Sequence, residues 1–374
     1  MRPFSFLALL PVVLANPLNV RSTACNNSPD LCSKTYGEIT HLGAHNSPFL
    51  KDSSTSNSMF GNQYYDTPTQ LDAGVRLVSA QVHKSNSEWH LCHSSCSYLD
   101  AGLLSDWLAE IKSWMDKNPN EVITILLVNS DSATAAELNT QFTTANLTDL
   151  AYEPSSTSSS WPTLQTMIDD DKRLVVFVAS LTTSTSYPYL LNEWDYVWET
   201  PYDVTSPSNF TCNPDRPSDT SLSSALSGSS LPFMNHFLYS DDLAVISVEY
   251  PNTSYVSVTN AASGGVGNLG STATKCKKEY NGRQPTFILV DFFNSGPAID
   301  TIDNLNNVTN AVGRTSVSTS SSTSTSGGST INGVFKSLVQ LAESARSGST
   351  PTMGNWIWVG GNWGNILGGG INLR

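Results

Sequence analysis

The sequence predicts an α/β chain folded as a distorted TIM-type (β/α)8 barrel, and three observations predict it. Short, continuously apolar runs recur along the chain, as strands covered on both faces require. Amphipathic helical patterns lie between several of these runs, which argues for a parallel sheet with helical connections. About eight such runs fall within about 260 residues, a span that suits one closed barrel better than an open sheet.

The elements follow in order along a chain of 374 residues. Arg2 precedes the apolar run Phe4–Leu14, and Val13 and Ala15 fit a small-residue cleavage pattern. Residues 1–15 therefore read as a secretory signal peptide, too short to span a bilayer as a helix. Residues 16–36 form a lead-in, and the barrel is assigned to 37–313. Its strand runs are Glu38–Ala44, Arg76–Val82, Glu88–Cys92, Val122–Asn129, Leu174–Ser180, Tyr196–Thr200, Phe233–Tyr239 and Thr286–Phe293. The clearest helix is Leu103–Asp116, where Leu104, Trp107, Leu108, Ile111 and Trp114 fall three and four apart. Ser105 is read as its early cap and Asn118-Pro119 as its stop. Thr134–Phe142 and Thr163–Ile168 are shorter helical patterns, while Ala179–Tyr196 has none, so an irregular covering is expected there. Residues 314–329 are almost wholly Ser, Thr and Gly and read as a flexible linker. In the tail, 330–374, Ile331–Ala345 has helical spacing. Asn355, Asn362, Asn365 and Asn372, with a terminal Arg374, argue against a glycolipid-anchor signal.

Charge and cysteine content narrow the function. With 19 basic against 32 acidic residues the net charge is -13. That excludes a phosphate-tracking nucleic-acid binder and electrostatic adhesion to anionic lipid, both of which need clustered Lys and Arg. Peripheral membrane contact is the most that is expected, and the chain is read as a monomer. The six cysteines, 25, 32, 92, 96, 212 and 276, favour disulfides over zinc on a secretory route. Short spacings suggest Cys25–Cys32 and Cys92–Cys96, leaving Cys212–Cys276, out of about 15 connectivities. Asn26, Asn146, Asn209, Asn252 and Asn307 each begin an Asn-x-Ser/Thr sequon. With the signal peptide they point to a glycosylated protein secreted from the cell, free or held at the wall or surface.

The chemistry concentrates at strand ends. His45 closes the run Leu42-Gly43-Ala44, and His93 follows Trp89-His90-Leu91-Cys92. Two imidazoles delivered to one barrel mouth can act as base and acid. The run Phe287-Ile288-Leu289-Val290 ends on Asp291, a carboxylate placed to orient one histidine. Of the other histidines, 41, 90 and 236 are read as structural and His83 equally as a mouth or a surface residue, with Arg76 as the partner of a carboxylate below the barrel. Asp66 and Asp72 are turn and cap residues, and Asp169-Asp170-Asp171 is a solvated turn rather than a metal site. No cofactor and no metal set is expected.

Several motifs together carry a family resemblance. Thr40-His41-Leu42-Gly43-Ala44-His45-Asn46-Ser47, Gln70-Leu71-Asp72-Ala73-Gly74-Val75-Arg76 and His90-Leu91-Cys92-His93 resemble the X-region of phosphatidylinositol-specific phospholipase C. More closely, with Trp198-Glu199-Thr200-Pro201-Tyr202-Asp203, Phe233–Phe237 and Leu289–Asn294, they resemble fungal secreted PLC-like phosphodiesterases, over about residues 30–310. The resemblance implies a distorted TIM-type barrel. It makes His45 the general base, His93 the general acid and Asp291 the residue holding the base. Asn46, Gln81, Asn129 and Glu199 become candidates for binding a small-molecule or lipid phosphodiester.

The pattern also departs from that family. Where eukaryotic members carry two acidic calcium ligands on the second strand, or bacterial members an Asp and an Arg, this chain has Ser79 and Gln81. Val128, beside Asn129, stands where others have Glu or Lys. Calcium takes roughly six to eight oxygens, several from carboxylates, and no such set is visible. Positive charge at the phosphoryl oxygens is then left to neutral donors or to protonated His93 or His83. The first reading is a metal-independent phosphodiesterase using a His/His acid–base pair, with inositol phospholipids as the substrate class the resemblance implies. The second is an impaired barrel that binds a polyol or phosphate at the cell surface without turning it over. A glycoside hydrolase would need Glu199 and Asp291 about 5–10 Å apart at the mouth and leaves both histidines unexplained.

Overall fold

The computed structural model describes residues 24–158, 160–240 and 249–319, and three strands of the tail, Trp356–Val359, Asn362–Leu367 and Gly370–Leu373. The signal peptide at 1–15, residues 320–329 of the expected linker and the helical pattern Ile331–Ala345 lie outside the described residues, while the linker's start, 314–319, is corrected: it is tied to the barrel through Arg314 to Asp303 and Thr315 N to Asp72 O (2.9 Å). The tail strands pair antiparallel in chain order, a small sheet that the Gly- and Trp-rich composition did not reveal.

Eight parallel strands form the wall: β1 (His41–Ala44), β2 (Leu77–Ser85), β3 (Ile123–Asn129), β4 (Leu174–Ala179), β5 (Leu190–Asn192), β6 (Val197–Glu199), β7 (Leu231–Asn235) and β8 (Phe287–Val290). They pair in the ring order β5-β4-β3-β2-β1-β8-β7-β6. Among the described residues each strand is paired with its neighbour except β5 with β6, which a single helical turn, Glu193–Tyr196, joins. The fold is thus a TIM-type barrel opened along one seam.

Two of the expected wall strands are corrected. Glu88–Cys92 is antiparallel to the outer end of β2, and Asp100–Leu103 pairs with it in turn. The reversal sits at Asn86 and Ser87, with φ of 49° and 71°, the left-handed conformation a tight hairpin turn demands. The eighth wall strand is instead Leu190–Asn192, three residues inside the connection that showed no pattern. The run Phe233–Tyr239 also divides: β7 ends at Asn235, and Tyr239–Ser240 pairs with Tyr250–Pro251.

Strand alternation sorts the wall residues into two layers. Leu77, Leu126, Val175, Phe177, Leu191, Val197, Leu231, Phe233, Phe287 and Leu289 form one buried cluster inside the barrel. Their neighbours Leu42, Val78, Ile125, Leu127, Val176, Trp198, Met234 and Ile288 belong to the outer cluster under the helices. On β1 the inward position between His41 and His45 is Gly43. A Cβ there would lie 2.7 Å from side-chain carbons of both Leu77 and Leu289, so only glycine lets the interior close.

The helices cover the outer layer as their patterns require. Leu104–Lys117 buries Leu104, Trp107, Leu108, Ile111, Trp114 and Met115. Its cap is corrected: the N-cap residue is Leu103, without a side-chain bond, and Ser105 lies inside the helix, while Asn118 ends it. Trp107 Nε1 donates to Thr67 Oγ1 (2.8 Å) and Trp114 Nε1 to Asp72 Oδ1 (2.6 Å), which fastens this helix to Thr67–Ala73. Thr134 and Glu137 form a capping box on Ala135–Thr144, and Thr163 caps Leu164–Asp169. Asp66 caps Thr67–Ala73. At the base of the barrel Arg76 pairs with Glu121 (2.6 Å), both nearly buried. Disulfides join Cys25–Cys32, Cys92–Cys96 and Cys212–Cys276. Of the sequon asparagines, Asn146, Asn209 and Asn307 are exposed. Asn26 is buried, and its Oδ1 accepts from Val122 N at 2.7 Å, so the folded chain leaves it no room for a glycan.

Candidate active site

The C-terminal ends of the strands open into a cavity of about 530 Å³. In TIM-type barrels this is the end that carries chemistry. His45, Asn46, Gln81, His93, Glu193, Glu199, Arg216 and Asn235 line it, with Phe237, Tyr202 and Tyr239.

His45 is the first residue beyond β1, on the inward phase, and Asp291 stands in the same position beyond β8. The parallel register Ala44↔Val290 sets them side by side, and His45 Nδ1 lies 2.9 Å from Asp291 Oδ1. Both are followed by a left-handed residue, Asn46 at φ 50° and Phe292 at φ 43°, so the chain turns sharply after each functional side chain. Asn tolerates that conformation; for Phe it is a strained position, held by surrounding bonds. Those bonds come from Asn62, Gln63 and Asn260. Phe292 N donates to Asn62 O (2.8 Å), Gln63 Nε2 to His45 O (2.8 Å), and Asn260 Nδ2 to Asp291 O (2.8 Å). Phe237 stacks on the imidazole at 3.8 Å with an 8° tilt, which fixes the ring plane of His45.

His93 comes from the hairpin outside the wall, and the Cys92–Cys96 bond closes the short segment around it. Phe49 and Phe60 face its ring. Burial, and secondarily the neighbouring His45, push its pKa down to about 3, so the imidazole is neutral in the free protein. Its Nδ1 lies 3.3 Å from Ser94 Oγ, and its Nε2 is buried without a partner.

The expected binding residues divide. Asn46 and Gln81 line the cavity, and Gln81 Nε2 donates to Asn46 Oδ1 at 3.4 Å. Asn129 does not line it. It falls on the outward phase of β3, next to inward Val128, and its amide bonds Ala133 in both directions (2.7 and 2.9 Å). Its role is to tie the loop after β3, and that assignment is corrected. Ser79 accepts from Asn46 N (2.9 Å) and so fixes the turn after His45. Glu199 lines the cavity almost fully buried, but as half of an ion pair with Arg216. Asn235 Nδ2 donates to the same carboxylate oxygen (3.2 Å). Burial, and secondarily the nearby Glu199, push the pKa of the Glu193 carboxyl well above the usual carboxylate range.

Arg216 corrects the view that the mouth lacks a guanidinium. Its strand-two position is indeed uncharged, but Arg216 reaches the cavity from the segment that bridges back onto Glu199. Tyr202 and Trp194 lie 4.2 and 5.4 Å from its charged carbon. No spacing in the sequence marks a lone arginine in Asn213-Pro214-Asp215-Arg216-Pro217, and Asn62, Gln63 and Glu193 carry no motif either.

The donor set does not fit a calcium ion. Around Asn46 the available oxygens are neutral and already bonded: Gln81 Oε1 accepts from Ser94 N (2.7 Å) and Asn46 Oδ1 from Gln81. Of the carboxylates lining the cavity, Glu199 is paired with Arg216, and none of Glu193, Glu199 and Glu249 belongs to a group of three ligand-type residues among those described. Among the described residues the one cluster of ligand-type groups is Cys92, Cys96 and Asp100, whose thiols are bonded to each other.

The family described as PI-PLC X 1 matches residues 31–306. The chain is 34% identical over 279 residues to the PI-PLC X domain-containing protein 1 of Arthroderma benhamiae, covering 74% of this chain and 87% of that one. The chain belongs to the PI-PLC X domain family. It is also 35% identical over 301 residues to an uncharacterized secreted protein of Arthroderma benhamiae, covering 78% of this chain and 66% of that protein. The phosphatidylinositol-specific phospholipase C of Listeria monocytogenes is a structural neighbour, with 14% identity and a TM-score of 0.42 over 76% of this chain and 98% of that one. Among the described residues no helix is long and apolar enough to cross a membrane.

Proposed function

We propose that this PI-PLC X family member is a secreted phosphoric diester-cleaving enzyme working by acid–base catalysis between His45 and His93. The observation that carries the reading is a buried His45–Asp291 pair and an unpartnered His93 Nε2 on one cavity. His45, oriented by Asp291, takes the proton from a hydroxyl of the substrate adjacent to the phosphodiester. That oxygen attacks phosphorus, and His93 protonates the departing oxygen, leaving a cyclic phosphodiester. The neutral His93 of the free protein gains its proton as the anionic substrate arrives, because a nearby negative charge favours the imidazolium. Asn46 and Gln81 donate to the phosphoryl oxygens, and Arg216 adds positive charge in the same cavity. No step passes through a metal. Family membership supports an inositol phospholipid, or its deacylated head group, as the substrate class.

Glu199 holds Arg216 instead of presenting a free carboxylate, and Asp291 is engaged by His45, so a glycosidase pair has no support here. The paired Arg216 does favour a second reading, a polyol- or phosphate-binding barrel without turnover. Incubating the protein with phosphatidylinositol and, separately, glycerophosphoinositol while following phosphorus NMR separates the two. A cyclic inositol phosphate signal supports the enzyme. Binding of either compound without that signal supports the binding barrel.

A further inference from the structure

Three carboxamides run in one directed chain between the two histidine-bearing segments. Ser94 N donates to Gln81 Oε1 (2.7 Å), Gln81 Nε2 to Asn46 Oδ1 (3.4 Å), Asn46 Nδ2 to Asn62 Oδ1 (3.3 Å), and Asn62 Nδ2 to Asp291 Oδ1 (2.9 Å). The ends fix the direction. A backbone N–H only donates and a carboxylate only accepts, so each amide between them has one orientation that satisfies both neighbours. Bonds aligned this way polarise one another toward the carboxylate.

The ends are the reacting groups' own supports. Asp291 Oδ1 is the oxygen that His45 Nδ1 meets, and Ser94 follows His93 within the segment closed by Cys92–Cys96. Asn62 is fully buried and does not line the cavity, and its Nδ2 also lies 3.3 Å from His45 Nδ1, so it reaches substrate only through Asp291, His45 and Asn46.

We infer that Asn62 is a positioning residue: it anchors Asp291 at the oxygen that holds His45 and, through Asn46 and Gln81, sets the His93 segment relative to His45. The inference rests on the acid–base reading above. Removing Asn62 takes one donor from Asp291 and frees the Asn46 amide to turn, which spoils the geometry of base and acid together while the cavity's walls remain.

Asn62→Leu, Gln81→Leu and the double variant test this, with cleavage kinetics on phosphatidylinositol and the backbone amide resonance of Ser94 in labelled protein. Gln81 is only half-buried, so its variant keeps the test open if Asn62→Leu folds poorly. Asn62→Leu is expected to lower kcat about tenfold or more, with KM within about threefold, since small displacements of reacting groups cost rate rather than binding, while Gln81→Leu, which also removes a donor to the phosphoryl oxygens, is expected to lose at least as much in kcat. The double variant is expected to match the worse single one, as members of one unit do. The Ser94 resonance is expected to move in Asn62→Leu, although the two residues do not touch. Losses that multiply in the double variant, a raised KM with kcat intact, or an unmoved Ser94 resonance would each overturn the inference. If wild-type protein cleaves nothing, the acid–base reading fails by itself. The Ser94 resonance then decides the relay alone, supporting it if it moves and overturning it if it does not.

Discussion

Asp291 and His45 lie 246 positions apart in sequence and 2.9 Å apart in space, brought together because β1 and β8 are parallel neighbours in register. A buried carboxylate on Nδ1 leaves Nε2 as the nitrogen that meets solvent or substrate. Asp291→Asn keeps the shape and removes the charge. It is expected to lower kcat about 10²- to 10⁴-fold with little effect on the melting temperature. A rate within a few-fold of wild type would show that Asp291 only packs the strand end.

His93 is expected to take up a proton when an anionic substrate binds. Its pKa is about 3 in the free protein, for want of water and because His45 is near. A phosphodiester beside Nε2 supplies the missing acceptor and raises the midpoint by at least about one unit. NMR titration of the His93 ring with and without glycerophosphoinositol reads this directly. An unchanged midpoint under saturating ligand would remove His93 from the anion's neighbourhood.

Stability is expected to fall on acidification through a specific window. Burial lowers the pKa of His41 and His236 to about 4, as it lowers that of His93. Each folded histidine stays neutral while the unfolded chain binds a proton below about pH 6.5, so the stability present above that pH is lost as pH falls toward the folded pKa. At pH 5 the loss is about 2 kcal/mol for each such group. Urea midpoints at pH 7 and pH 5 give the slope. His236→Gln is expected to flatten it, and a slope equal to wild type would contradict the assignment.

Arg76 and Glu121 form the buried ion pair at the other end of the barrel, and Arg76 also donates to Leu71 O (2.8 Å) and Val75 O (2.7 Å). Arg76→Met strands a buried carboxylate and is expected to cost about 3–5 kcal/mol, whereas Arg76→Met with Glu121→Leu costs less than the single change. Thermal unfolding of the two variants checks the order. A double variant less stable than the single would place the stabilisation in packing around the arginine stem.

What the sequence disclosed followed from alternation and length. Val122–Asn129 and Leu174–Ser180 announce wall strands because both faces are apolar. His45 and Asp291 announce a site because each is the first polar residue beyond such a run. Leu190–Asn192 was invisible because three residues carry no period, and Glu88–Cys92 was misplaced because a hairpin strand covered by a helix reads like a wall strand. Asn129 failed on parity alone: one residue's shift along a strand turns a side chain from the interior to the outer layer. Arg216 and Asn62 were hidden for another reason. Each reaches its position through a loop whose path depends on distant strands, so no local spacing encodes it.

The acid–base pair is tested most directly by the rate of phosphatidylinositol cleavage by wild type, His45→Ala and His93→Ala in excess chelator. Wild type is expected to release cyclic inositol phosphate at an undiminished rate, and each variant to lose about 10²-fold or more. Cleavage abolished by chelator, or retained in His45→Ala, would contradict that expectation.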